Sequence, residues 1–176
     1  MFDNMVKVSV MQRSHHISSD VNTVLSAVLG SCVAVCAFDA TMGIGGMNHM
    51  LLPDAREKDQ NASSTLYGAN LMELLLNDLY KQGARRQYLQ FKLFGGGKLT
   101  SNGFDAGERN INFISEFVKN EGLNVISSSL GGNAGRRIEF HPATGRSRQK
   151  LLIDKPVESI ALQTEIIPET GTMELF

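Results

Sequence analysis

The segment LGSCVAVCAFDATMGIGGMNHMLLP, residues 29–53, carries two cysteines, a turn-like centre and one histidine. Its first part, CVAVCAF, is short, apolar and rich in β-branched residues, which predicts a strand over Cys32–Phe38. Its second part, GIGGMNHMLLP, predicts a glycine-lightened strand that ends at Pro53. A turn centred between Ala40 and Thr41 makes facing residue numbers sum to 81, so that Cys36 meets Gly45 and Cys32 meets His49. Side chains directly opposed across such a pair lie about 4.5–5.5 Å apart at Cβ, within reach for a sulfur and an imidazole. A slip of one residue would send the two to opposite faces.

A thiol beside an imidazole is the equipment of nucleophilic acyl transfer. An imidazolium lowers the thiol pKa toward neutrality, and the imidazole then protonates the leaving group and activates water. Gly30 before the cysteine and Gly45-Gly46 on the facing strand leave room for substrate, and the amides near Gly30, Ser31 and Cys32 are candidate oxyanion donors. The competing reading is structural: a cysteine in an apolar strand is ordinarily a small buried hydrophobe. Cys36, deeper in the strand, is assigned that role.

Outward from this segment, VSVM near residue 8 predicts another strand. Residues 54–64 are polar and loop-like, with serines available to cap a helix over TLYGANLMELLLNDLYKQGA, closed by Gly83. YLQFKLFGGG alternates Leu89, Phe91 and Leu93 against Gln90 and Lys92, a half-buried strand entering a glycine loop. ERNINFISEFVKNEG predicts a second amphipathic helix through Ile111, Ile114, Phe117 and Val118, and LNVISSSLGG a further strand. RRIEFHPATGRSRQKLLI predicts a hairpin turning at His141–Gly145. The class is α+β, with two helices on one side of mixed or antiparallel sheets. Residues 1–153 are expected to form one domain, and 154–176, irregular and interrupted by prolines, a C-terminal extension.

A chain of 176 residues buries roughly 70% of its unfolded surface, enough to fold without disulfides or metal. The net charge of −1 and pI near 6.4 argue against nucleic acid as a partner. There is no apolar run of membrane-spanning length and no secretory leader pattern, so a cytoplasmic protein without membrane insertion is expected. Two cysteines and four scattered histidines show no metal spacing; no metal and no cofactor is expected. FGGGKLTS is not a phosphate loop, because Leu99 follows Lys98 where Ser or Thr is required. Arg136, Arg137, Arg146, Arg148 and Lys150 gather on the C-terminal hairpin, either as a solvated face or as a dock for an acidic surface. His15 and His16 are placed beside a loop.

LGSCVAVCAFD followed by GIGGMNHMLLP resembles the signature of the CheD family, the chemoreceptor glutamine deamidases of bacterial chemotaxis. The likeness continues through FKLFGGG and ERNINFISEFVKNEGLNVISSSLGGNAGRRIEFHPATG to near Leu152. Its core is Gly-Ser-Cys with a histidine seventeen residues on, inside Gly-Gly-x-x-His-x-x-Leu-Pro. The resemblance implies that Cys32 is the nucleophile and His49 the general base and acid. It also implies a three-layer α/β/β sandwich related to other cysteine hydrolases. The implied substrate is a set of glutamine side chains on the cytoplasmic helices of methyl-accepting chemoreceptors, with a CheC-type phosphatase as a second partner. The family's third member is a hydroxyl residue just upstream, commonly threonine. Ser26 offers a hydroxyl there, six positions before Cys32, with Ala27 five before it. Two other readings stay open: a binding module for receptor or phosphatase with little catalysis, and a thiol amidohydrolase or transglutaminase-like enzyme with another protein target.

Overall fold

The computed structural model describes residues 2–53, 60–99, 106–153 and 173–175, with the side chains of 60–64 and 173–175 outside the description. Two five-stranded sheets lie face to face, and two helices cover one of them, which makes the three layers α/β/β. In the first sheet β1 (Val6–Ser9) runs parallel to β3 (Thr23–Leu29), which is followed by β8 (Gly135–Phe140), β9 (Ser147–Leu152) and β10 (Met173–Leu175). In the second, β2 (Ser14–Ser18), β5 (Ile44–Met50), β4 (Val33–Asp39) and β6 (Gln90–Gly95) are antiparallel, and β7 (Val125–Leu130) joins β6 in parallel.

β4 lies at the centre of its sheet, and all seven of its residues are buried. This explains an apolar run that does not alternate, since a strand covered on both faces has no polar side to present. Val33, Val35 and Ala37 pack beneath α1 (Gln60–Lys81) and α2 (Ala106–Asn120), with Leu71, Leu75 and Ile114 above them. Ala34, Cys36 and Phe38 face the other way, into the layer between the sheets, among Leu25, Leu29, Ile138 and Phe140. Each helix ends on the glycine its sequence announced. Gly83 has φ +96° and Ala84 N–H returns to Leu79 O, while Gly122 has φ +60° and Leu123 N–H returns to Val118 O. The serines near residue 64 lie inside α1, not ahead of it, because the helix already begins at Gln60.

Three expectations change. Lys92 does not mark a solvated face of β6: it is 5% exposed, stands beside Cys36 in the inter-sheet layer and donates from Nζ to Ser147 Oγ at 3.1 Å. His15 and His16 belong to an edge strand, β2, and His15 Nε2 contacts Asp78 Oδ2 of α1 at 2.8 Å. The basic hairpin is partly committed internally. Arg136 is 3% exposed and donates to the carbonyls of Ser129 and Gly131, and Arg148 pairs with Glu139. Of the C-terminal extension, residues 154–172 lie outside the described residues, while Met173–Leu175 returns as β10 to pair with β9.

Candidate active site

The β4–β5 hairpin is built two positions out from the expected register. Val33 faces Met50, Ala34 faces His49 and Cys36 faces Met47, so facing numbers sum to 83. The cause is the turn. Asp39 is fully buried, and its Oδ1 accepts from Thr41 N–H, Thr41 Oγ and Met42 N–H. That fixes a four-residue loop from Ala40 to Gly43, the last at φ +63°. A shift of two preserves facing, because side chains alternate with period two. Cys32, one residue ahead of β4, and His49 therefore still point into the same layer, now as diagonal rather than direct neighbours, about 7 Å apart by sheet geometry.

Cys32 sits in a turn whose carbonyls are all held from outside. Gly30 O accepts from Gly97 N–H, Ser31 O from Asn110 Nδ2 and Cys32 O from Gly96 N–H. The glycine loop after β6 is thus a cradle for the cysteine turn. A Cβ at Gly95, whose φ is +114°, would stand 2.1 Å from Cys32 O. Asn110 is fully buried on α2, and its Oδ1 also accepts from Leu52 N–H at 3.0 Å. One side chain therefore ties the cysteine arm to the histidine arm, assisted by Arg109, which donates to the Leu52 and Pro53 carbonyls. Sequence reasoning read the ERNIN segment only for its apolar spacing. A buried polar residue amid a helix's apolar positions is the signal that would have found Asn110.

His49 is clamped by the β1–β2 connection. Its backbone carbonyl accepts from Arg13 N–H at 2.7 Å, and its Nδ1 lies 3.0 Å from Val10 O. A carbonyl only accepts, so Nδ1 carries the proton. Nε2 is then the basic nitrogen, and it is buried with no hydrogen-bond partner among the described residues. Burial pulls the His49 pKa down, against the Val10 bond that raises it, so the ring is neutral. Cys32 is 4% exposed; burial pushes its thiol up to about 11, opposed by its own amide N–H and by the charge of Arg13. The resting pair is accordingly thiol and imidazole, where the sequence suggested thiolate and imidazolium.

The structure does not bring the Ser26 hydroxyl to this pair. Leu25, Ala27 and Leu29 line the inter-sheet layer, so alternation along β3 turns Ser26 to the outer face, between Ser9 and Glu139. Its backbone does take part. Ser26 O accepts from Val10 N–H at 2.8 Å, and Val10 O in turn accepts from His49. Among the described residues no group of three or more His, Cys, Asp or Glu side chains is placed to hold a metal, and no helix is long and apolar enough to cross a membrane.

Comparison with known proteins points to the same family as the motif does. A family model described as CheD chemotactic sensory transduction matches residues 51–151. A protein of Caulobacter sp. (strain K31), named probable chemoreceptor glutamine deamidase CheD, is 46% identical over 175 residues, covering 97% of this chain and 93% of its own. The chain belongs to the CheD family. Two further CheD relatives of the same printed name show the same breadth of likeness. That of Agrobacterium fabrum is 45% identical over 163 residues, 92% of this chain and 90% of its own. That of Rhizobium leguminosarum bv. trifolii is 49% identical over 144 residues, 81% and 78%. Among solved structures, a Neisseria meningitidis protein matches with a TM-score of 0.46 at 10% identity, covering 73% of this chain and 64% of its own. A hypothetical protein of Bacillus licheniformis matches at 0.44 and 9%, covering 65% and 49%. At these scores neither bears on fold or chemistry beyond the CheD assignment.

Proposed function

We propose that this CheD protein deamidates glutamine side chains of methyl-accepting chemoreceptors, with Cys32 as nucleophile, His49 as base and acid, and the Val10 carbonyl as the group that orients the imidazole. The observation that carries the reading is the unpartnered, buried Nε2 of a neutral His49 on the face it shares with Cys32. Such a lone pair is costly to leave unmet in a core, and a passing thiol proton satisfies it.

As the sulfur attacks the side-chain amide carbon, its proton moves to Nε2. The carbonyl oxygen takes the negative charge, and the amides of the turn at Ser31 and Cys32, whose carbonyls are held elsewhere, serve as its donors. Nε2–H then protonates the departing nitrogen, ammonia leaves, and a thioester joins Cys32 to the former glutamine. Water gives a proton to Nε2 as it attacks the thioester; the sulfur leaves and recovers that proton, and glutamate is released. No external oxidant or metal enters this balance. Ser26 contributes to this mechanism through its backbone, and its hydroxyl is dispensable.

The substrate is carried over from the name of the relatives, and the reaction takes place at the cytoplasmic helices of the receptor. A CheC-type phosphatase is the second partner we propose. The 4% exposure of both Cys32 and His49 favours a second reading, a docking module that turns over little. Incubation of a purified receptor cytoplasmic fragment with the wild-type protein and with Cys32→Ala separates the two. Mass spectrometry should find the amide-to-acid mass change at specific glutamines with the wild type alone. Binding without any such change in either sample would establish the docking module, and change persisting with Cys32→Ala would refute the nucleophile.

A further inference from the structure

Both helices pack on the sheet that holds β4, and the core they form includes no residue of β1, β3, β8 or β9. Among the described residues, the outer face of those four strands therefore has no helix over it. Ile138 and Phe140 of β8 point into the layer between the sheets, and Ser147 and Gln149 of β9 bond Lys92 and Ser129 of the facing sheet. Alternation turns Arg137, Glu139, Arg148 and Lys150 outward. Part of this face is settled. Glu139 takes both Lys7 and Arg148, and Arg148 also lies over the Phe2 ring, 5.1 Å from its centre, and reaches Asp3 Oδ1 at 3.5 Å.

Arg137 and Lys150 differ. They are half-buried and directly opposed across β8 and β9, in one row with Val28 on β3 and the register position of Met173 on β10. Among the described residues neither makes an ion pair, and Glu139 in the adjoining row is already committed to Lys7 and Arg148. Like charges in direct opposition destabilise a sheet, so a merely solvated face gives no reason to set these two together. An anion from outside would relieve them.

The row lies at the same end of the sandwich as the thiol. Cys32 follows Val28 by four residues, at most about 13 Å of extended chain. The loop opening β8 is tied to the cysteine turn through the glycine loop, since Gly132 O accepts from Lys98 N–H and Gly30 O from Gly97 N–H. The patch does not touch the sulfur, which lies between the sheets; it stands on the flank beside that open end. The proposed reaction turns amides on a helical substrate into carboxylates, so a substrate with several target glutamines becomes acidic next to those still unprocessed. About 13 Å along a helix is between two and three turns.

We infer that Arg137 and Lys150 form a docking site for carboxylates of the substrate helix, two to three turns from the glutamine presented to Cys32. The inference rests on the proposed deamidation for its substrate, and its test reads binding apart from turnover. In Cys32→Ala protein, the affinity for a purified receptor cytoplasmic fragment is measured at about 50 mM and about 500 mM salt. The variants are Arg137→Glu with Lys150→Glu, Lys150→Glu alone, and Arg146→Glu with Lys119→Glu. The last pair makes the same change of net charge at exposed cations elsewhere, on the hairpin turn and on α2.

The patch double variant should bind about tenfold more weakly at low salt and within about twofold of the unaltered patch at high salt, while the control pair shifts binding by less than about twofold. Lys150→Glu alone should bind about threefold more weakly yet melt at a higher temperature, because it removes the like-charge opposition; a loss of fold moves both readouts down together. With Cys32 restored, the patch double variant should raise KM about tenfold and leave kcat within about twofold. Equal weakening by the two double variants, a loss that persists at high salt, or no binding of the fragment by any protein would overturn the docking site. So would weakened binding of a purified CheC-type phosphatase with receptor binding intact. The predicted binding pattern without conversion of any glutamine by the protein with Cys32 would fault the proposed function and uphold the docking site.

Discussion

The layer between the sheets contains two thiols, each near a nitrogen base, and they have opposite characters. Cys36 lies mid-strand opposite Met47, fully sealed, and its neighbour Lys92 has its ammonium on Ser147. Burial drives the Cys36 thiol far above its ordinary range and pulls Lys92 below its own, so the two stay an inert packing pair. Cys32 lies at the strand end, in a turn clasped by glycines, and its base has a lone pair with nothing to accept. Both thiols are buried and raised. In the mechanism we propose, what separates the nucleophilic thiol from the structural one is position along the strand and the open lone pair on the base.

The sharpest way to break that contrast is at the bases. His49→Gln should lower deamidation on the order of 10⁴-fold, as loss of a base in a concerted pair does, while Lys92→Met, similar in length and apolar, should change the rate by no more than about threefold. A receptor-fragment assay under saturating substrate reads both, and comparable losses would mean the two ends are not distinct. Next comes Asn110→Leu. It strands Ser31 O and Leu52 N–H in the interior, which should cost about 2–4 kcal/mol of stability, measured by urea unfolding. At temperatures where the variant is folded, kcat should fall about 10–100-fold with KM little moved, because the two arms lose their common tie.

Smaller effects sharpen the comparison. Iodoacetamide should label Cys32 slowly at neutral pH and progressively faster toward its pKa of about 11, and leave Cys36 unlabelled in the folded protein. Peptide mapping of the labelled site checks this. Ser26→Ala should change kcat by less than about twofold, since the hydroxyl is on the far face. Acid stability carries a last signature. Burial depresses the folded-state pKa of His49, so as pH drops below about 6.5 the unfolded chain takes up its proton first and stability falls, by at most about 1.4 kcal/mol per pH unit. His49→Gln should remove that component from the urea midpoint plotted against pH.

The contrast also marks what the linear chain disclosed. The strand at β4, both helix-ending glycines and the C-terminal hairpin are local signals, written in β-branching, 3.6-residue spacing and turn residues, and each stands where it was expected. The facing of Cys32 and His49 was legible for a similar reason, since an error of two in register leaves the face unchanged. The register itself was not, because it depends on the Asp39 carboxylate choosing Thr41 and Met42. β2 and β3 escaped notice because SHHIS and TVLSAVL draw their strand character from partners far along the chain. Asn110 was marked only by a polar side chain among the apolar positions of α2, and Val10 not at all, and the partners of both were out of sight. Each acts by contacting a residue tens of positions away, and composition does not record such contacts.

The tie from Asn110 to Ser31 spans 79 residues. At ribosomal speeds of about 5–20 residues per second, roughly 4–16 seconds pass between the synthesis of its two ends. Through that interval the nascent chain carries an ordinary cysteine and an ordinary histidine. In the mechanism we propose, competence for deamidation therefore arrives late in translation, and a fragment released early lacks it.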